Sequence, residues 1–380
     1  MKQEKATFLF KEIEDKTIVW IENTNQYVAL ENKTAEILGD LYQGKTINKI
    51  SEKLALEFSI PKNEATKFIL NIEQELYLPN RKKNKATVND ISKIESPKEY
   101  LYSKKYSINN FIFNVDYQSE EELYFVHPKF AHLEIESSKK ADFYYQVFTQ
   151  EKNTFLFVNN QFISSWHRSE IHYFQGKFSM QLVQDMHQME EQKWLGVFHA
   201  SAISNGKNSM LFLGDSGNGK STSLALLQTN GFTCLADDFV PVDTTKQEVY
   251  SFPSAISIKK NSLKTLLPIY PELETSAEYN FKRLNKIVRY LPPKNDNYKN
   301  HLPCKALVFI KYNSKVELEV NKISNLIAFE KLVPDSWLSP EKENAETFLN
   351  WFSKLPCYEL TYSNNQKMIQ TVSKVFVDEL

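Results

Sequence analysis

Residues 209–230 read SMLFLGDSGNGKSTSLALLQTN. An apolar run enters a short loop, and a helix-forming run leaves it. The loop holds Gly214, Gly217 and Gly219, from a chain with only nine glycines, so their clustering is a signal rather than composition. Gly214-Asp215-Ser216-Gly217-Asn218-Gly219-Lys220-Ser221 fits G-x-x-x-x-G-K-[ST], and Thr222 follows. Glycines let backbone N–H groups turn inward around phosphate oxygens at a helix N-terminus that favours anions. Lys220 is then placed for the β- and γ-phosphates, and the Ser221 hydroxyl for Mg²⁺. A chance match in a loop is the bland alternative, and the strand before and helix after argue against it. The stretch predicts a P-loop that binds ATP and Mg²⁺ through residues 214–222.

Downstream, Thr233-Cys-Leu-Ala-Asp237-Asp238 is an apolar strand ending in two carboxylates. In P-loop folds such a strand end delivers an acid to the Mg²⁺ and water shell, or a base to the attacking group. Neighbouring residues there point in different directions and can hold different roles. The alternative is an Asp pair in a solvated turn. His199 precedes the loop strand, in Val-Phe-His-Ala-Ser; the other six histidines are read as structural.

The stretch WLGVFHASAISNGKNSMLFLGDSGNGKSTSLALLQTNGFTCLADDFVPVD, residues 194–243, resembles the catalytic core of HPr kinase/phosphorylase and its relatives. A His before the first strand, the Gly-rich loop, a turn at Gly231 and a strand ending Ala-Asp-Asp occur in the family's order. The resemblance implies that Asp238 is the general base toward an acceptor hydroxyl. It also implies that Asp237 orders the metal together with Ser221, and that His199 and Lys220 flank the transferred phosphate. The family's downstream segment, with its Glu metal ligand and arginine, has no counterpart. In its place stand Phe252-Pro-Ser-Ala-Ile-Ser-Ile-Lys259-Lys260 and Arg283-Leu-Asn-Lys286-Ile-Val-Arg289. These basic residues read more readily as a solvated face than as a phosphate grip.

At 380 residues the chain calls for more than one domain, and 42% apolar content suffices for the cores. A net charge of −1 points to no nucleic acid and no anionic membrane surface. No window approaches the roughly 20 apolar residues of a membrane span. The N-terminus lacks a signal-peptide pattern. Cys234, Cys304 and Cys357 have no metal-ligand spacing, which fits a reduced, cytoplasmic compartment. The expected architecture is multidomain α/β. It comprises an N-terminal winged-helix module (1–78), a linker (79–98), a β-rich middle segment packing on the kinase (99–190) and a C-terminal P-loop α/β kinase-like domain (191–380). In the middle segment, strands are expected at 111–115, 123–126, 144–148 and 155–158, with a hairpin at Asn159-Asn160 and no chemistry. In the last, strands at 209–213, 233–236, 306–312 and 357–361 alternate with helical patterns.

In the first 78 residues, alternating stretches at 7–13, 17–22 and 27–30 read as strands. Stripes follow at Ala35/Leu38/Leu41, Ile47/Ile50/Leu54 (capped by Thr46) and Ala65/Ile69/Ile72. Leu30-Glu-Asn-Lys-Thr-Ala-Glu-Ile-Leu, Tyr-Gln-Gly-Lys-Thr-Ile and Phe58-Ser-Ile make this module similar to PqqD-like peptide-recognition domains. That resemblance implies a leader peptide paired with residues 26–30 and packed on 63–77, on a module that folds alone. A winged helix that merely packs or binds DNA is the alternative, and Glu52, Glu57, Glu64, Glu73 and Glu75 argue against DNA. The combined expectation is a peptide hydroxyl kinase, with serine as the acceptor residue. A nucleotide switch without transfer and a kinase for a small hydroxylated metabolite stay open, as does a homo-oligomer.

Overall fold

The computed structural model describes residues 5–83, 96–282 and 286–380. Residues 84–95 of the expected linker, and Arg283, lie outside them. The chain is mixed α/β and divides into two compact units, residues 1–90 with 323–355 and residues 91–322 with 356–380. The expected partition therefore changes at two places. No unit boundary falls near residue 190, and residues 323–355 leave the C-terminal segment to join the N-terminal one.

The first unit begins with an antiparallel sheet of Phe8–Ile13, Lys16–Ile21 and Gln26–Glu31, in that order. Helices Asn32–Tyr42, Ile47–Phe58 and Lys62–Ile72 follow. Thr46 accepts from Lys49 N at 3.4 Å, capping the second helix as its residue type favours. Phe8, Val19 and Ile21 bury one sheet face against Leu38, Ile50 and Ile69. The other face is covered as well. Ile18 and Trp20 are fully buried, and Tyr27 meets Phe329 and Phe348 edge-on at 6.1 and 5.4 Å. Those rings belong to helices Asn325–Leu332 and Lys342–Phe352. Lys11 Nζ donates to Asn350 Oδ1 at 2.8 Å on the same side. The unbroken apolar run Ile18-Val-Trp-Ile21 has this physical meaning, since a strand apolar on both faces needs cover on both. Residues 1–78 alone would leave the Tyr27 ring without Phe329 and Phe348, so the compact unit takes in residues 323–355 as well.

In the second unit, Tyr102–Ile108, Phe111–Tyr117, Phe143–Gln150, Asn153–Val158 and Gln161–His167 form a sheet in chain order. Asn159 and Asn160 turn the last hairpin with φ of 50° and 66°, the left-handed backbone that Asn tolerates. The strand expected at 123–126 is instead part of helix Glu120–Phe130. Phe111–Tyr117 and Phe143–Gln150 run parallel, and a parallel pair needs a long crossover, usually helical. Ser119 and Glu122 start that helix with a capping box. A second helix, Ile171–His187, follows the sheet.

The main sheet carries the glycine-rich loop. Ser209–Leu213 lies parallel to His301–Tyr312, which lies parallel to Cys357–Tyr362. Antiparallel strands flank this trio, Ser201–Ser204 and Thr233–Asp237 on one side and Leu318–Lys322 on the other, while Glu248–Tyr250, followed by Val240–Asp243 and Trp194–Phe198, pairs with the first residues of His301–Tyr312. The alternation of strand and helix expected over 191–380 thus holds only around the parallel centre. Helices Lys220–Leu227 and Asn365–Phe376 bury Leu224, Leu227, Met368 and Val372 against it. A small sheet of Ile256–Lys259, Lys286–Leu291 and Tyr279–Phe281 lies in the same unit. Among the described residues no helix is long and apolar enough to cross a membrane.

Candidate functional site

The loop at 214–222 joins strand Ser209–Leu213 to helix Lys220–Leu227. Gly214, Gly217 and Gly219 adopt φ of 131°, 101° and 97°. At Gly214 a Cβ would lie 2.8 Å from the Ile310 carbonyl oxygen, so side chains are excluded by space as well as by φ. Asn218 O accepts from Tyr312 N at 3.0 Å, fixing the loop to the neighbouring strand. Lys220 is buried, and its ammonium donates to Gly214 O across the loop. Ser223 Oγ and Tyr362 OH share a hydrogen bond of 2.8 Å, anchoring the first helical turn. The loop turns on three left-handed glycines and ends at one buried lysine.

Two strands are interrupted at the same level of the sheet. Ser201 pairs with Asp237 and Phe198 with Val240, so His199-Ala200 and Asp238-Phe239 face each other as two breaks. Asp238 bends at φ 63°, unusual for a residue other than glycine, and the two neighbouring carboxylates part company there. Asp237 is buried and points toward the loop. Ser221 Oγ donates to its two oxygens at 3.1 and 3.0 Å, Ser201 Oγ at 2.5 Å and Ser257 N at 3.0 Å. Burial, and then the Asp238 charge, push its carboxyl up to about 6. Asp238 points elsewhere and accepts from Lys286 Nζ at 2.9 Å. Burial opposes its charge, but Lys286, His199 and Lys129 outweigh burial and hold the carboxyl well below the ordinary range.

Two cavities meet at this point. One, of about 280 Å³, is lined by Asp215, Ser216, Gly217 and Gly219 to Thr222 of the loop, with Lys259 and Ser262. The other, of about 240 Å³, is lined by Lys129, His172, Gln175, Ser179, Asp237 and Phe252, among others. His199, Asp238, Ser257 and Lys286 line both. Asp238 therefore stands at the boundary of a space floored by the loop and a space walled by the middle segment.

The predicted residues are thus brought together in one unit: Asp215, Ser216, Gly217 and Gly219 to Thr222 line the first cavity, Asp237 the second, and Asp238 and His199 both, while Gly214 and Asn218 shape the loop from outside the lining. Lys129 and one helix face were missed, and Lys259 and Lys286 were read as a solvated face rather than as the phosphate grip weighed against it. Lys286 is paired with Asp238, and Lys259 Nζ donates to Ser216 Oγ at 2.6 Å, so both face the loop cavity. Arg289 is tied to the carbonyls of Leu273 and Glu274 and has a structural part. The middle segment, expected to carry no chemistry, supplies Lys129 and the face His172/Gln175/Gly176/Ser179 of helix Ile171–His187. The stripe Ile171/Phe174/Phe178/Val183/Met186 was the available signal for that helix. Ser221 with Asp237 fits a hard divalent cation: both offer oxygen, and Asp237 carries a raised pKa that a cation would relieve. Among the described residues no group of three or more His, Cys, Asp and Glu could hold a metal by itself. Further oxygen ligands from outside these residues would have to complete the shell. No family model matches the chain, and no curated protein matches it in sequence.

Proposed function

We propose that the chain is an ATP- and Mg²⁺-dependent kinase of the HPr-kinase type, transferring the γ-phosphoryl group to a hydroxyl, with serine of a peptide as the acceptor. The observation that carries this reading is the shared wall of the two cavities. A phosphoryl group passes in line between donor and acceptor, so the two must be bound in adjoining spaces with the catalytic groups at their boundary. Asp238, His199 and Lys286 stand at that boundary.

The loop amides and Lys220 would cradle the β- and γ-phosphates. Ser221 and Asp237 would hold Mg²⁺, which when bound neutralises charge on the phosphate oxygens. Asp238 would accept the acceptor hydroxyl's hydrogen bond and take its proton. Because Lys286 keeps it ionised and weakly basic, that proton moves late, as suits a loose transition state in which the acceptor oxygen bonds weakly. Lys286 and His199 would stabilise the charge on the group in transit.

The first unit supports recruitment of a peptide in the PqqD-like manner, because Gln26–Glu31 is an edge strand of its sheet. A second reading, a kinase for a small hydroxylated metabolite, is favoured by the modest volume of the second cavity, about 240 Å³. Incubating the full chain with γ-labelled ATP, Mg²⁺ and hydroxyl-bearing peptides tests the proposal. Label on a peptide supports it, whereas nucleotide binding without transfer to any acceptor, peptide or metabolite, would leave a nucleotide switch.

A further inference from the structure

The second cavity holds a cation, Lys129, that contacts neither Asp238 nor the loop and acts on Asp238 only through its charge. Lys129 lies in the last turn of helix Glu120–Phe130, about 90 residues upstream of the glycine-rich loop. Its own carbonyl accepts from Ala255 N at 2.8 Å. The Phe130 ring meets Phe252 edge-on at 6.0 Å, and Tyr124 OH accepts from Asn280 N at 2.6 Å. These three attachments fix the helix against residues of the cavity wall and of the small sheet, so Lys129 is not a freely moving surface lysine.

Its neighbours are already engaged. Lys286 serves Asp238, and Asp237 is satisfied by Ser201, Ser221 and Ser257. Among the described residues the Lys129 ammonium makes no hydrogen bond and lies within ion-pair distance of no carboxylate. A half-buried ammonium without a partner is costly, and burial followed by Lys286 lowers its pKa to about 8, against the pull of Asp238 and Asp237. It lines the second cavity and is absent from the lining of the loop cavity, so its partner enters from the acceptor side rather than with the nucleotide.

We propose that Lys129 recognises an anionic group, a carboxylate or a phosphate, that the acceptor carries close to the hydroxyl. The assignment rests on reading the second cavity as the acceptor's. Lys129 is then a specificity-determining residue: neutral hydroxyl compounds leave its ammonium unpaired, and anionic ones complete a charge-assisted hydrogen bond.

The test is calorimetric titration of the full chain, saturated with Mg²⁺ and a non-hydrolysable ATP analogue. Three matched probes are used: glycerol, glycerate and glycerol 3-phosphate. Wild type is expected to bind one or both anions at least about tenfold more tightly than glycerol. The favoured anion tells carboxylate from phosphate. Lys129→Met should lose that preference, and Lys129→Arg should restore most of it. Should Lys129→Met fail to fold, Lys129→Gln carries the same comparison. Equal affinity for glycerol and the anions, no anion binding to wild type, or an undiminished preference in the neutral variant would each overturn the assignment. No phosphoryl transfer is measured, so a failure of the kinase reading would show separately, as label reaching no acceptor.

Discussion

Lys286 Nζ donates to Asp238 Oδ2 at 2.9 Å, from a strand 48 residues further along the chain, and both side chains line both cavities. The pair explains how a half-buried carboxylate can stay charged beside a second one. It also makes the charge of Asp238 depend on one ammonium. In the wild type its carboxyl lies below the ordinary range, so it stays ionised as pH falls through weak acid. In Lys286→Met, burial and Asp237 would raise that pKa, and the active carboxylate would be lost at higher pH. The acid limb of the rate profile is expected to move upward by roughly one pH unit or more, the scale set by a nearby opposite charge. A profile superimposable on that of wild type would contradict the role given to the pair.

Asp237 behaves in the opposite sense. Unfolded it ionises near 3.8, and folded near 6. Between those values the folded state keeps a proton that the unfolded state has lost, so this group's stabilising contribution is complete below the window and lost as pH rises through it. Asp237→Asn does not titrate. Chemical unfolding without nucleotide or metal, from pH about 3.5 to about 7, should therefore show the difference moving in the variant's favour as pH rises. Its size is on the order of a few kcal/mol at most, because a tenfold change in proton affinity corresponds to about 1.4 kcal/mol. A pH-independent difference would remove Asp237 as the titrating group.

Lys220→Ala removes a charge-assisted contact to phosphate. ATP affinity is expected to weaken by about 1.5–3 kcal/mol, on the order of ten- to a hundredfold. Fluorescent-nucleotide titration checks it, and an unchanged affinity would mean that the loop is not the nucleotide site.

Val28→Pro removes a backbone donor from the edge strand Gln26–Glu31, and strand pairing tolerates proline poorly. Binding of a leader peptide to the full chain is expected to disappear while ATP binding persists. The near-ultraviolet difference between the chain and its Trp20→Phe variant, measured with and without Val28→Pro, reports whether the surroundings of buried Trp20 remain folded. Undiminished peptide binding in a folded variant would show that recognition lies elsewhere.

What the sequence made legible was local. The spacing of Gly214, Gly219, Lys220 and Ser221 is set by how a loop wraps phosphate, so it survives as a string. Asn159-Asn160 announces a turn for the same reason, and the unread pair Asn109-Asn110, with φ of 51° and 74°, carried the identical signal. Leu123–Val126 misled because a short apolar run fits a strand as well as a helix, and the crossover demand that decides it is a tertiary fact. Lys129 and His172 were not legible as site residues, and Lys286 was legible only as one of several basic residues. Single charged side chains far apart in sequence have no motif, and only the packing of two helices and a small sheet collects them. Cover for the Tyr27 ring by Phe329 and Phe348 was equally long-range, although the unbroken apolar run Ile18–Ile21 carries the signal of a strand covered on both faces.

The most direct test of the central claim is the rate of phosphoryl transfer by Asp238→Asn, measured with γ-labelled ATP at saturating Mg²⁺ and acceptor. Asn keeps the shape and much of the hydrogen bonding but cannot take a proton. Transfer is expected to fall by on the order of 10² or more, within the usual 10²–10⁴ contribution of a positioned base, with ATP affinity little changed. Transfer at close to the wild-type rate would contradict the account.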